Sequence, residues 1–304
     1  MYLSGFPDEA ATTTEGQIRL IRELGWRHID LRRAEGRPLN ELDDAALERV
    51  AGLIADAGVT ISCLASTIAD RNASISNDFC IDQAETERWI EVCKLFGCTR
   101  MRVMSWPPEG DRAIDGPTAA ERIRRLRWIH DRCADAGINA LHENCHNYGG
   151  QSADHTLRLI DEIPGLRLIF DTANPINSDD WSYACEPKPK QSVYEFWAKV
   201  RDNVAYIHIK DGVFDPAGDK RWQHCFPGEG MGDVRAVLKD AIARGYDDAI
   251  AIEPHVGKVH LLPNSEAMSD EERKQANFRA YGRRTAAILA DLGVPIPDAA
   301  LPVG

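Results

Sequence analysis

One phrase repeats along this chain roughly every 25–40 residues: an amphipathic helical stretch, a glycine or turn, then a short apolar run. It appears as Glu23-Leu24-Gly25-Trp26 before His28-Ile29-Asp30-Leu31, and as Asp56-Ala57-Gly58 before Val59-Thr60-Ile61-Ser62-Cys63-Leu64. Leu95-Phe96-Gly97-Cys98 precedes Arg100-Met101-Arg102-Val103-Met104, and Asp135-Ala136-Gly137 precedes Ile138-Asn139-Ala140-Leu141. It returns as Pro164-Gly165 before Leu166-Arg167-Leu168-Ile169-Phe170 and as Asp202-Asn203 before Val204-Ala205-Tyr206-Ile207-His208-Ile209. The last instance is Arg244-Gly245-Tyr246 before Ala249-Ile250-Ala251-Ile252. A glycine at such a point ends a helix in the left-handed conformation without a Cβ clash, so the chain turns straight back into a strand.

With an opening strand at about residues 2–6, the count is eight strands. Helices are predicted between them and after the last, over about 14–24, 43–57, 82–96, 118–136, 152–163, 191–201, 233–244 and 271–292. The fourth shows the spacing openly, with Ile123, Leu126, Ile129 and Cys133 on one face and Arg122, Arg124, Arg125 and Asp131 largely opposite. Strict alternation implies parallel strands with right-handed crossovers. Eight such units imply an α/β fold closed as a (β/α)8 TIM barrel, with a doubly wound open sheet as the alternative. The Pro187-Lys188-Pro189-Lys190 cluster sits inside one loop and nothing else reads as a linker, so residues 1–304 are expected to form a single barrel domain.

Composition narrows the function. Hydrophobic residues make up 43% and charged residues 28%, which excludes a disordered chain. With 36 Lys+Arg against 48 Asp+Glu, the net charge is −12, which argues against nucleic acid as a partner, since phosphate binding needs a basic footprint. No stretch approaches the ~20 apolar residues of a membrane span. The first residues, Met1 to Glu9, carry neither the basic region nor the apolar core of a secretory signal. Eight cysteines without a CxxC pair read as reduced thiols of a cytoplasmic protein.

In barrels of this kind the active site lies at the carboxyl ends of the strands. The fifth predicted strand ends Leu141-His142-Glu143-Asn144, and the sixth ends Ile169-Phe170-Asp171-Thr172-Ala173-Asn174. The seventh runs Tyr206-Ile207-His208-Ile209-Lys210-Asp211, and the eighth ends Ile252-Glu253-Pro254-His255. Four successive strands thus offer Glu143, Asp171, His208 and Glu253. Three carboxylates and an imidazole at one spot repel one another unless a cation holds them. Oxygen-rich ligation with one imidazole suits Mn²⁺ best, or Mg²⁺ or Co²⁺.

These segments resemble the sugar isomerase/epimerase family with a xylose-isomerase-like barrel. The resemblance is carried by Leu3-Ser4-Gly5-Phe6-Pro7-Asp8-Glu9, His142-Glu143-Asn144, Ile169 to Asn174, His208-Ile209-Lys210-Asp211, Pro227-Gly228-Glu229-Gly230 and Ile252-Glu253-Pro254-His255. It spans nearly the whole chain. It implies one divalent metal held by Glu143, Asp171, His208 and Glu253, with Glu143 and Glu253 also acting as the acid/base pair on either face of a sugar. The chain departs from the epimerases at Ala173, where they usually carry a histidine two residues after the aspartate, and in the loop Cys145-His146-Asn147-Tyr148-Gly149. His146 therefore stands as a rival catalytic base.

A cation beside a hydroxy-ketone polarises its carbonyl, so that a carboxylate or imidazole can remove the neighbouring proton. Returning that proton gives epimerisation or isomerisation, and losing a β leaving group gives elimination. The expected activity is that of a metal-dependent isomerase or epimerase of an unphosphorylated keto-sugar. The alternative is a lyase, a dehydratase or C-glycoside-cleaving subunit, acting on a 3-oxo-sugar or keto-cyclitol. A sugar-binding role without catalysis and a metal endonuclease rank below both.

Trp106, Trp181 and Trp222 fall in loops at the strand ends, where aromatic faces suit sugar C–H surfaces. Lys210, Arg221 and His224 are further candidates for substrate contact, Lys210 more readily as an ion-pair partner of a ligand carboxylate. Gly228-Glu229-Gly230-Met231-Gly232 reads as a plain turn rather than a phosphate cradle, because an acidic residue lies inside it and no basic one adjoins it. The expected partner is a small carbohydrate, with a homo-oligomer, or a small partner subunit under the lyase reading, as the assembly.

Overall fold

A computed structural model describes residues 1–214, 222–257, 262–263 and 265–294, and strands alternate with helices throughout them. The strands are β1 (Tyr2–Gly5), β2 (His28–Leu31), β3 (Thr60–Ala65), β4 (Arg100–Val103), β5 (Asn139–Glu143), β6 (Arg167–Asp171), β7 (Val204–Ile209) and β8 (Ala249–Ile252). The helices are α1 (Thr14–Glu23), α2 (Asp44–Asp56), α3 (Phe79–Leu95), α4 (Ala119–Asp135), α5 (Ala153–Glu162), α6 (Val193–Val200), α7 (Val234–Ala243) and α8 (Asp270–Asp291). Each predicted helix is present, its ends within one turn of the expected place.

The eight strands are hydrogen-bonded in the order β1-β8-β7-β6-β5-β4-β3-β2, with parallel registers such as Tyr2 opposite Ala249 and Leu141 opposite Arg167. The two ends of that order, β1 and β2, are also neighbours: Ser4 Oγ donates to Asp30 Oδ1 at 2.6 Å, and the Tyr2 and His28 rings lie 4.0 Å apart. This is the (β/α)8 barrel, not the open sheet. Two short antiparallel hairpins, Arg33–Ala34 with Arg37–Pro38 and Gly212–Phe214 with Trp222–His224, were not foreseen.

The turning glycines behave as expected. Gly58 and Gly245 have φ of 65° and 81°, and nothing lies within 4 Å of where a Cβ would project. The left-handed backbone, rather than lack of room, calls for glycine there. Side-chain caps from Thr13, Asp43, Asp78, Ser152, Ser192 and Ser269 start six of the helices, each contributing about 1 kcal/mol.

The chain comprises two compact units, residues 63–206 and residues 1–62 with the chain from Ile207 onward. In the first, Trp89, Met101, Val103, Leu126, Ile129, Phe170 and Trp197 are fully buried, with Phe170 edge-on to Trp197 at 5.2 Å between centroids. Two arginines expected on the polar face of α4 are buried as well. Arg125 pairs with Asp82 at 2.8 Å, and Arg122 donates to the carbonyls of Ser105 and Trp106, both at 3.0 Å. In the second unit all four residues of β8 are buried, as in a parallel strand covered on both faces, among Leu20, Ile29, Val237, Tyr281 and Leu289. No helix of the described residues is long and apolar enough to cross a membrane.

Candidate metal centre

Within residues 63–206, Glu143 and Asp171 end adjacent strands, β5 and β6, and Asn144 ties those ends together. Its Nδ2 donates to the Asp171 carbonyl at 3.1 Å, and its Oδ1 accepts from the Asp171 N–H at 2.7 Å. Asp171 Oδ1 in turn accepts from the N–H groups of Ala173 and Asn174, at 2.9 and 2.7 Å, which fixes the carboxylate. Glu143 is 1% exposed. Its Oε2 lies 3.1 Å from the Arg102 guanidinium, and its Oε1 accepts from Asn174 Nδ2 at 3.4 Å.

The loop after Glu143 is stapled by a buried polar network. Ser105 Oγ donates to Asn147 Oδ1 at 2.9 Å, accepts from the Gly149 N–H at 2.8 Å and lies 3.0 Å from His142 Nε2. Asn147 Nδ2 reaches back to the Glu143 carbonyl at 3.1 Å. Burial keeps His142 neutral, its pKa lowered to about 4.

In the other unit, His208 on β7 has Nδ1 3.8 Å from Glu253 Oε2 and Nε2 3.8 Å from Asp30 Oδ2, and packs edge-on against Phe6. Glu253 follows β8 and meets a cation on each oxygen: Arg32 Nη1 lies 2.8 Å from Oε1, and Lys210 Nζ 3.0 Å from Oε2. Burial alone would raise the Glu253 carboxyl, but Lys210, His255, Arg32 and His208 hold it well below the usual carboxylate range. Arg32 also reaches Asp8 at 2.8 Å and Glu9 at 3.1 Å. Glu9 grips His255 by both oxygens, 2.7 Å to Nδ1 and 2.6 Å to the backbone N–H. Although burial opposes it, the charges of Glu9 and Glu253 raise the His255 pKa.

One donor atom from each of Glu143, Asp171, His208 and Glu253 lies within 4.8 Å of the others, and all four residues are buried. Three carboxylates and one imidazole form a hard, oxygen-rich donor set, so this cluster could hold a divalent metal. Glu9, Glu253 and His255 also approach within 4.8 Å, but Arg32 already supplies a cation among them.

A profile of the xylose isomerase-like TIM barrel family matches residues 18–274. The chain belongs to that family. A xylose isomerase-like TIM barrel protein of Mycobacterium smegmatis, solved in complex with magnesium, is 21% identical with a TM-score of 0.65, covering 95% of this chain and 97% of its own. D-Psicose 3-epimerase of Clostridium cellulolyticum, solved with D-tagatose, is 13% identical with a TM-score of 0.66, covering 95% and 99%. The probable 3-DHS dehydratase of petrobactin synthesis from Bacillus anthracis is 16% identical with a TM-score of 0.64, covering 92% and 98%. At these identities the likeness is one of fold. Among curated proteins, none matches this sequence.

Trp106 is fully buried at a left-handed φ of 56°, its indole N–H donating to Asp82 at 3.2 Å, so its ring has no face open to a sugar. This corrects the expectation of substrate stacking. Trp181 is half-buried, with Arg112 and Lys188 over its ring at 4.9 and 4.6 Å. Lys210 is the ion-pair partner of Glu253. Arg221 lies outside the described residues. His224 accepts from Trp222 Nε1 at 3.3 Å and stands edge-on to His255; burial and the neighbouring positive charges of His255 and Lys210 lower its pKa to about 4. The glycine-rich turn is indeed no phosphate cradle: Asp211 occupies it, accepting from the N–H groups of Gly212, Gly228, Gly230 and Gly232 at 2.8–3.1 Å. His146 is exposed and contacts Asn177 and Ser178.

Arg32, Arg102, Asn144 and Asn174 escaped the sequence reading. Arg32 and Arg102 carry the same signal as the ligand candidates, since both lie at the carboxyl ends of strands, in the first half of the chain.

Proposed function

We propose that this chain is a divalent-metal-dependent enzyme that removes a proton α to the carbonyl of an unphosphorylated keto-sugar and returns it, as an isomerase or epimerase. The observation that carries this reading is the buried donor set of Glu143, Asp171, His208 and Glu253. A divalent cation bound there, Mn²⁺ above Mg²⁺ or Co²⁺, would polarise the substrate carbonyl and stabilise developing negative charge on oxygen. Glu143 and Glu253 are the acid/base pair, and His146, on the loop after β5, is the rival base. Arg102 orients Glu143, and Arg32 and Lys210 orient Glu253 and help hold its carboxyl below the usual range. Because the three cations are each engaged by a site carboxylate, they favour a neutral sugar over a sugar phosphate. The eight cysteines are thiols, which supports a reducing, cytoplasmic setting.

A second reading, a lyase on a 3-oxo-sugar, is favoured by the Glu9–His255 pair. It sets an imidazole, whose pKa the charges of Glu9 and Glu253 raise against burial, beside Glu253 as a separate acid for a leaving group. The test is deuterium wash-in from D₂O, followed by NMR, into D-tagatose, D-fructose and 3-oxo-D-glucose with Mn²⁺ present. Metal-dependent exchange without loss of a leaving group supports the isomerase reading, and exchange with elimination supports the lyase. Absence of exchange into any of them contradicts proton abstraction from this substrate class. His146→Ala should slow exchange on the order of 10²–10⁴-fold if His146 is the base, and only modestly if the glutamates alone move the proton.

A further inference from the structure

His146 is exposed, yet both of its ring nitrogens meet side chains of the segment that follows Asp171. Ser178 Oγ lies 3.2 Å from Nδ1, and Asn177 Nδ2 lies 3.3 Å from Nε2. The two neighbours are anchored unequally. Ser178 is buried, and its hydroxyl donates to the Asn174 carbonyl at 2.9 Å. A carbonyl can only accept, so the single hydroxyl hydrogen of Ser178 is committed there. The lone pair that faces His146 then requires a proton on Nδ1. At the other nitrogen, the amide of Asn177 presents an N–H, which requires a lone pair on Nε2. Both contacts select the same neutral tautomer, Nδ1–H with Nε2 unprotonated.

We propose that Ser178 is a positioning residue that holds His146 in this tautomer, so that Nε2 is the proton-accepting atom, and that half-buried Asn177 covers Nε2 until substrate displaces it. This rests on the reading of His146 as the base. In the step it serves, the substrate C–H bond breaks and its proton goes to Nε2. The electron pair passes into the enolate of the substrate carbonyl. Nδ1 keeps its proton, and the imidazolium is braced by the Ser178 oxygen. Returning the proton from Nε2 restores the neutral ring. The chain back to Asn174 matters because Asn174 Nδ2 itself donates to Glu143 Oε1 at 3.4 Å, so the 174–178 turn touches both the base and the carboxylate.

The test uses the full chain with ¹⁵N-labelled histidine and Mg²⁺ as the only added ligand. Long-range ¹H–¹⁵N spectra at neutral pH separate the tautomers, and His146→Gln identifies the signal. The native protein should show Nδ1 protonated and Nε2 not, and Ser178→Ala should move His146 toward the Nε2–H form while Ser178→Thr keeps the native pattern. In the deuterium wash-in assay, Ser178→Ala should lower kcat on the order of tenfold with KM unchanged, and cost nothing further in a His146→Ala background. A native Nε2–H tautomer, or a tautomer unmoved in Ser178→Ala, would overturn the proposal, as would losses that simply add. The Nδ1–H tautomer together with undiminished exchange in His146→Ala would support the role of Ser178 in setting the ring and overturn His146 as the base.

Discussion

The Arg32 guanidinium lies 2.8 Å from Glu253 Oε1, joining the residue after β2 to the residue after β8 across 221 positions of sequence. The same guanidinium spans Asp8 and Glu9, so one cation serves three carboxylates of which none is more than 10% exposed.

Removing that cation should be costly. Arg32→Gln leaves three buried carboxylates short of a partner and is expected to lower the unfolding free energy by about 3 kcal/mol. Saturating Mg²⁺ should restore part of the loss by binding only the folded state. Urea unfolding with and without Mg²⁺ checks both. Equal stability of the variant and the native protein would show that Arg32 does not balance this charge.

Acid should weaken the fold through His142. Its folded pKa of about 4 is below the unfolded value near 6.5, because burial disfavours the imidazolium. Between those values the unfolded chain binds a proton that the folded chain refuses, so stability is intact above pH 6.5 and falls as pH drops toward 4. Urea midpoints should reveal a loss of about 2 kcal/mol from this group between pH 7 and pH 5. His142→Gln should flatten that slope, and an unchanged slope would count against it. His255 acts with the opposite sign: its raised pKa stabilises the fold below pH 6.5, an effect lost as pH climbs through the folded value.

Asp211 should prove to be the organiser of the glycine-rich turn. Asp211→Ala deprives four N–H groups of their acceptor and is expected to cost about 3 kcal/mol. Gly230→Ala should damage the same turn, since a Cβ there would come within 2.2 Å of Asp211 Oδ1 and 2.4 Å of the Gly212 carbonyl. Limited proteolysis should cut both variants near residue 230 faster than the native chain. Unchanged cleavage would mean that the turn stands without its carboxylate.

The barrel was legible because its signals are local. Each helix–glycine–strand phrase carries its own periodicity and turn, and Gly58 or Gly245 announces its left-handed backbone without reference to the rest of the chain. The four ligand candidates were legible for a related reason, since a strand end is a local landmark. The pairing of Arg32 with Glu253, or of Arg102 with Glu143, has no such landmark, because it is set by the register of distant strands. Trp106 misled for the same reason: a tryptophan after a strand looks available until Asp82, 24 residues earlier, claims its N–H. Arg122 and Arg125 likewise fit a polar helix face by spacing, while tertiary carbonyl and carboxylate partners drew them inside.

Glu143, Asp171, His208 and Glu253 are proposed to hold one divalent cation. Titrating the metal-stripped chain with Mn²⁺ and following free Mn²⁺ by electron paramagnetic resonance tests it most directly. One Mn²⁺ should bind per chain. Glu143→Gln and Asp171→Asn should each lose that binding while keeping native circular dichroism, and Trp181→Ala should retain it. Undiminished one-to-one binding in both ligand variants would contradict the account.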